Sequence, residues 1–309
     1  MLSSPRARIW IRSSVVVLVL LCAGYALYAR WDEASAALAS LSVWVLMASL
    51  AAALVGLLAQ MLAWRALLAD VGAVLSVPVA GRVMFLGQLG KYLPGSVWAF
   101  LAQVELAREQ QVPRARAATA TVLAVVVTLA VNLAVATATL PLVSPEAARR
   151  WWWVLALAPG LVLALHPRLV TALVRGGQRL TRSGGQIPAG ELTRVSWRGL
   201  TAAAGWSVLA WPPLALHVWT LMAAVGDVGV TALPLAAGAF ALAWTLGLVV
   251  VLAPAGVGVR ELVLVVSLAP VLDAGAALVV AALSRLVLTL TDLLWAAAAT
   301  LVRPGGRIR

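Results

Sequence analysis

The stretch GQLGKYLPGSVWAF, residues 87–100, places a lysine and a Leu-Pro-Gly break between two short apolar segments. Lys91 is the only lysine in the 309-residue chain. Proline and glycine interrupt a membrane-spanning helix, and a charged group is costly in hydrocarbon. Irregular backbone at membrane depth is stable only where it is buried in protein or lines a wet cavity. The stretch therefore predicts a re-entrant hairpin that turns inside a membrane.

The composition of the whole chain supports a membrane location. Hydrophobic residues make up 63% of the sequence and charged residues 11%, with a mean hydropathy of +1.00. Several apolar runs reach the roughly 20 residues that a helix needs to cross a bilayer. The single cysteine, Cys22, rules out a disulfide framework and a thiolate metal site. We therefore expect an all-α polytopic protein, one integral membrane domain over residues 1–309, with no metal and no cofactor.

Apolar runs of spanning length recur along the chain. They predict about six full spans, at residues 14–29, 41–64, 118–142, 151–166, 200–225 and 274–302.

Two further stretches, residues 77–109 and 233–270, share a different pattern. Each has an apolar arm, a Pro/Gly break and a short second arm. The arms of the first are about 15 residues each, or roughly 22 Å of helix, which is too short to cross comfortably. Both stretches predict re-entrant hairpins. Residues 233–252 are long enough to span alone, so a full span there is the alternative.

The charge of +12 comes from arginines in the connections between apolar runs, including a basic loop at residues 167–198. This is the positive-inside pattern of membrane topology, so we expect no nucleic-acid partner. With cytoplasmic termini in a bacterial inner membrane, the strongly basic segments lie on one side. The chain then has two halves, residues 1–142 and 143–309. Each half consists of two spans, a hairpin and a third span, and the two halves have opposite orientations in the membrane. Such inverted-topology repeats are common in transporters.

The two breaks also carry the candidate binding residues. Helices that begin near Ser96 and Val259 would aim free N–H groups at the middle of the membrane, which suits an anion such as phosphate. Lys91 and Arg260 would add positive charge there, and Glu261 follows directly. The structural alternatives are that Lys91 extends to an interface, that Glu261 complements the helix dipole, and that Arg260 pairs with Glu261 or with the later aspartate Asp292.

The remaining ionisable residues also have structural alternatives. Arg285 and Asp292 lie on nearly the same helix face, so an ion pair between them is the alternative to a role in binding or proton coupling. His166 and His217 have no neighbouring carboxylates or cysteines, which favours packing roles. Glu105 and Glu109 lie near the end of a hairpin arm, where we expect them to be solvated.

The two motifs GQLGKYLPGSVW and APAGVGVRE together resemble the transmembrane region of the lysylphosphatidylglycerol synthase family, the flippase part of the bacterial multiple peptide resistance factor. The resemblance implies a lipid with a charged head group moving between leaflets through a cavity near the hairpin tips. It also identifies the chain as a stand-alone member without the aminoacyl-transferase domain. The positions that match the family motifs are Gly90, Tyr92, Pro94, Gly95, Pro254, Gly256, Gly258, Arg260 and Glu261. All of these except Gly90, together with Lys91 from the charge argument, are the predicted substrate-binding residues.

The sequence thus predicts a lipid transporter or flippase, whose partner is a membrane lipid with a phosphate-bearing or polyprenyl-linked head group. One alternative is an intramembrane enzyme acting on a polyprenyl-phosphate or terpenoid lipid, although no catalytic group or ATP-binding motif is found in the sequence. The other is a non-transporting partner of a separate lipid-modifying enzyme. An oligomer is compatible with each of these.

Overall fold

A computed structural model describes residues 31–92, 98–139, 149, 195–249, 256 and 258–302 of the chain. These residues form α-helices joined by turns, and two short 3₁₀ segments, Leu89–Tyr92 and Val230–Ala232. In the first part of the chain the helices are α1 Trp31–Ala39, α2 Val43–Asp70, α3 Val77–Gln88, α4 Trp98–Glu109 and α5 Arg114–Thr139. In the second part they are α6 Trp197–Leu209, α7 Trp211–Val225, α8 Leu233–Val249, α9 Val259–Leu268 and α10 Ala274–Thr300.

The prediction of an all-α polytopic membrane protein is confirmed. Within the described residues, five helical segments are long and apolar enough to cross a membrane, namely Val43–Asp70, Arg114–Thr139, Trp197–Val225, Val230–Leu248 and Ala274–Thr300. Four of them coincide with predicted spans. The predicted spans at 14–29 and 151–166, and the basic loop at 167–198, lie outside the described residues.

The fifth spanning segment is the first arm of the second predicted hairpin. Its length means that the alternative of a complete crossing at residues 233–252 stays open. The six-span count and the depth of both hairpins therefore remain predictions.

Local signals in the sequence set where several helices begin. The side chains of Ser42, Ser196 and Asp273 each accept a hydrogen bond from a backbone N–H in the first turn of α2, α6 and α10. The Pro212-Pro213 pair lies in the first turn of α7, and Ala210 alone separates this helix from α6. One predicted span therefore consists of two consecutive helices, α6 and α7, because proline is tolerated at a helix start but not in its interior.

Both interrupted stretches double back on themselves. In the first, Gly87 lies against Gln103 and Gly90 lies against Trp98 and Ala99, so α3 and α4 run antiparallel. In the second, Gly247 in α8 lies against Gly256 and the start of α9. The chain thus forms two helical hairpins, α3–α4 and α8–α9.

Helix α10 lies at the centre of the packing. It contacts α1, α2, α3, α7 and α9, and so touches one arm of each hairpin. Helix α2 packs along α6 and α7, and α5 packs along α8. A cavity remains between the two hairpins and the spans α2, α5 and α10.

Candidate functional site

The cavity has a volume of about 220 Å³ and is lined by residues of both hairpins. Its charged lining residues are Lys91 at the tip of the first hairpin, Arg260 in the second, and Arg285 and Asp292 on α10. Tyr92 and Gly256 also line it. The fold therefore gathers into one cavity residues that lie far apart in the sequence.

Asp292 binds the tip of the first hairpin. Its Oδ2 atom lies 2.6 Å from the Lys91 Nζ and accepts a 2.6 Å hydrogen bond from the Tyr92 hydroxyl. The Lys91 ammonium also lies 5.5 Å from the centre of the Tyr92 ring. The aspartate side chain is 5% exposed, so its charge is balanced inside the protein rather than by water.

Glu261 links the second hairpin to α10, the helix that also carries Asp292. Its Oε2 accepts a 2.6 Å hydrogen bond from the Gly258 N–H, while Oε1 pairs with the Arg285 guanidinium on α10. The first contact is the backbone half of a capping interaction at the start of α9. Glu261 thus both caps its own helix and holds the hairpin against α10.

These contacts correct one prediction. Arg285 and Asp292 share a helix but do not pair with each other; each binds a residue of a different hairpin. The reason is tertiary, because the two hairpins present Lys91 and Glu261 at hydrogen-bond distance from α10.

Arg260 is placed differently from its sequence neighbours. Its guanidinium carbon lies 4.8 Å from the centre of the Phe240 ring and 5.4 Å from that of Trp244, both on α8. Its Nη2 atom is buried and has no hydrogen-bond partner. The structural alternative, a pairing of Arg260 with Glu261 or Asp292, is therefore not found among the described residues. Aromatic faces attract a cation without neutralising it, so no carboxylate in the described part of the chain pairs with the Arg260 charge beside the cavity.

Glycines allow Arg260 to take this position. Gly256 has a φ of +70° and Gly258 a φ of +86°, a backbone region that residues with a Cβ rarely adopt. A Cβ on Gly256 would lie 3.0 Å from the backbone of Gly247. The close crossing of α8 and α9 that places Arg260 over the α8 rings thus requires glycine.

Three residues implied by the family resemblance, Pro94, Gly95 and Pro254, lie outside the described residues. The helices that follow the two breaks begin at Trp98 and at Val259, close to the predicted starts. Of the other predicted residues, Gly90 lies at the hairpin crossing and Gly258 at the start of α9.

Several residues that line the cavity or contact Arg260 were not predicted from the sequence. Phe240 and Trp244, which cradle Arg260, are four residues apart on α8, and this spacing was the available signal. Ser207 on α6 is fully buried and lines the cavity, and its Oγ has no hydrogen-bond partner. Isolated polar residues within apolar runs were the signal for the remaining polar lining, which includes Gln60, Gln103, Thr121 and Thr128.

His217 takes a structural position, in line with the packing role favoured above. It is fully buried, with Nδ1 2.7 Å from the Ser49 Oγ and Nε2 2.9 Å from the Ser284 Oγ. Its ring also packs edge-to-face on Phe240 at 5.7 Å. The histidine therefore joins α2, α7 and α10 behind the aromatic cradle of Arg260.

Comparison with known proteins gives one family. The profile described as Lysylphosphatidylglycerol synthase TM region matches residues 9–296, which includes every residue of the site. A search among curated proteins finds no match.

Proposed function

Because the chain belongs to the family of the lysylphosphatidylglycerol synthase TM region, a membrane region of lipid-related proteins, we propose that it is a lipid transporter or flippase. Its substrate is a lipid with an anionic head group, which it moves between leaflets. It acts as a multi-pass protein of a bacterial inner membrane, with both termini in the cytoplasm. The head group enters the cavity between the hairpins while the acyl chains stay in the bilayer.

One observation carries this proposal, namely Arg260. A guanidinium with a buried, unpartnered Nη2 on the wall of a cavity is a group that can bind an anion. Ionisable residues within membranes mark substrate pathways by default. The cavity volume of about 220 Å³ is below the roughly 300–1,000 Å³ of pockets that enclose whole drug-sized ligands. This size suits a head group rather than a complete lipid.

The two hairpins suggest how the head group is passed across. In the proposed inverted repeat, residues 1–142 contribute α3–α4 and residues 143–309 contribute α8–α9. Both hairpins are held to α10 by ion pairs, Lys91–Asp292 and Arg285–Glu261. A phosphate that binds Arg260 competes for Lys91 or Arg285, so its entry loosens one hairpin from α10. Movement of that hairpin exposes the cavity to the other leaflet, and Glu261 is the group that takes up a coupling proton.

The test begins with the lipids that the protein retains. Wild type, Arg260→Ala, Arg260→Lys and Glu261→Gln are purified gently, and their bound lipids are identified by mass spectrometry. We expect one phosphate-bearing lipid to be enriched in the wild type. Hydrogen bonds to charged groups contribute about 1.5–3 kcal/mol, so its enrichment in Arg260→Ala falls roughly ten- to a hundredfold. Arg260→Lys retains part of it, because the charge remains.

Arg82→Ala serves as the matched control. Arg82 donates hydrogen bonds to the carbonyls of Ala299 and Val302 near the end of α10 and does not line the cavity. This variant keeps the lipid, although it loses some stability. In vesicles containing the retained lipid, Arg260→Ala abolishes exposure of that lipid in the opposite leaflet. Undiminished transport by a folded Arg260→Ala protein would contradict the proposal and favour the non-transporting partner.

A further inference from the structure

The charges around the cavity restrict which head groups it can accept. Lys91 is balanced by Asp292, and Arg285 is balanced by Glu261. Arg260 has no carboxylate partner among the described residues and rests on aromatic rings. The described part of the cavity therefore carries one uncompensated positive charge, which a single negative charge neutralises.

The two carboxylates that pair with these cations, Asp292 and Glu261, also restrict which head groups can bind. Asp292 already accepts from both Lys91 and Tyr92, and Glu261 from Arg285 and the Gly258 N–H. Neither is left as a counter-ion for an ammonium group on a ligand. A head group with an amine would bring a positive charge next to Arg260 and would have to break one of these ion pairs to find a partner.

Neutral polar side chains also line the cavity. Four of them are buried, namely Gln60 on α2, Gln103 on α4, Thr121 on α5 and Ser207 on α6. Trp64 donates to Thr121, but the Ser207 Oγ has no partner. Buried polar atoms are normally hydrogen-bonded, so an unpartnered hydroxyl on a cavity wall indicates a ligand or water that completes it. Hydroxyl and amide groups recognise hydroxyl-bearing ligands, since they donate and accept without charge.

We infer that the site selects lipids with a singly charged phosphodiester that carries a neutral polyol, such as glycerol, inositol or a sugar. Arg260 binds the phosphodiester, and Ser207, with Gln60 and Gln103 of the same cavity, binds the hydroxyl groups. Head groups with an amine, whether ethanolamine or an aminoacyl ester, are disfavoured. This inference rests on the proposed function for the nature of the ligand and adds its chemical class.

The test uses five lipids with identical acyl chains and the full-length protein in detergent. They are phosphatidylglycerol, phosphatidylinositol, phosphatidic acid, phosphatidylethanolamine and lysyl-phosphatidylglycerol, and binding is titrated by native mass spectrometry. We expect the two polyol lipids to bind at least about tenfold more tightly than the two amine-bearing lipids. Equal or tighter binding of either amine-bearing lipid would overturn the inference.

Ser207→Ala tests the hydroxyl part separately. Loss of one neutral hydrogen bond weakens binding of phosphatidylglycerol and phosphatidylinositol roughly three- to tenfold. Phosphatidic acid has no polyol, so its affinity is unchanged by the substitution. The matched control is Ser267→Ala, because Ser267 is equally buried and its Oγ also lacks a partner, but it does not line the cavity. Equal losses in the two serine variants would contradict the assignment of Ser207.

Arg260→Ala separates this inference from the proposed function. If lipid binding depends on Arg260 but favours an amine-bearing head group, the transporter proposal stands and the head-group class is wrong. If no lipid binds in an Arg260-dependent way, both fail.

Discussion

The free-energy cost of placing Arg260 in the membrane exceeds what its aromatic contacts recover. An arginine at the centre of a membrane helix costs about 2.5–3.5 kcal/mol on insertion scales. A cation over an aromatic ring recovers about 0.5–2 kcal/mol, and the two rings of Phe240 and Trp244 share one guanidinium. An ion pair would have compensated the charge more completely, as Lys91 and Arg285 show. The remaining cost is consistent with a group reserved for an anionic ligand.

Gly90 provides a prediction at this scale, because the hairpin crossing leaves no room there for a side chain. A Cβ on Gly90 would lie 2.8 Å from the Ala99 nitrogen and the Trp98 carbonyl, which are backbone atoms that cannot rotate away. We expect Gly90→Ala to lower the free energy of unfolding by about 1–3 kcal/mol, the usual range for overpacking. A thermal unfolding series in detergent measures the change.

The control for Gly90→Ala is Gly205→Ala. Gly205 lies within α6, and a Cβ there would meet no atom within 4 Å. Alanine is the better helix former by about 1 kcal/mol, so this variant should be as stable as the wild type or more stable. Equal unfolding temperatures for the two variants would contradict the close backbone contact between α3 and α4 at Gly90.

At the scale of elements, α10 acts as the common support of both hairpins. Asp292 and Glu261 each pair with a cation across a hairpin–α10 contact. We expect Asp292→Asn to destabilise the protein by about 1–3 kcal/mol, less than the 3–5 kcal/mol of a fully buried pair, because the Lys91 side chain is 31% exposed. Chemical or thermal unfolding checks the value.

A double-mutant cycle identifies the cause of that loss. Replacing both partners, as in Lys91→Met with Asp292→Leu, leaves no unpaired charge, so most of the lost stability should return. Additive losses in the double variant would mean that Lys91 and Asp292 do not interact.

The α4–α5 corner supplies a pH-dependent element outside the spanning segments. Glu105 is exposed and accepts hydrogen bonds from Arg114 and Arg108, which lower its pKa below the usual 4.5, Arg114 contributing most. A lowered pKa in the folded state stabilises the corner above the unfolded value of 4.5. That contribution is lost as the pH falls through the lower, folded pKa.

Amide hydrogen exchange of residues 109–112 measures this effect. At about pH 7, Glu105→Gln should show faster exchange than the wild type after correction for the intrinsic rate, because the ion pairs are missing. The difference should disappear in acid, where Glu105 is protonated and resembles glutamine. A difference that persists unchanged at pH values well below 4.5 would exclude Glu105 as its source.

At the scale of the whole molecule, the proposed inverted repeat makes a topological prediction. Gln111 and Asp227 are both exposed, and they follow α4 and α7 respectively. In the inverted arrangement Gln111 is cytoplasmic and Asp227 faces the other side. In a Cys22→Ser background, a membrane-impermeant maleimide should label Asp227→Cys in intact spheroplasts and Gln111→Cys only after permeabilisation. Labelling of both in intact spheroplasts would rule out the arrangement.

The fold class and the positions of the breaks could be predicted from the sequence. Insertion into a membrane depends on the length and hydropathy of each segment alone, so four predicted spans agree with the helices at Val43–Asp70, Arg114–Thr139, Trp197–Val225 and Ala274–Thr300. The hairpin breaks follow in the same way from Pro and Gly, whose backbone constraints are local. For residues 233–252, the length of the apolar segment does not distinguish a hairpin arm from a complete membrane span.

The pairing of the charges was decided by the tertiary structure. The sequence predicts that Lys91, Arg260, Glu261, Arg285 and Asp292 lie at membrane depth, because each is embedded in apolar sequence or beside a helix break. It did not determine that Asp292 binds Lys91 and Tyr92, which lies 200 residues away, or that Arg260 faces two aromatic rings. Those contacts depend on which helix faces meet across the cavity, and hydrophobic periodicity carries no information on that in helices that are apolar on every side.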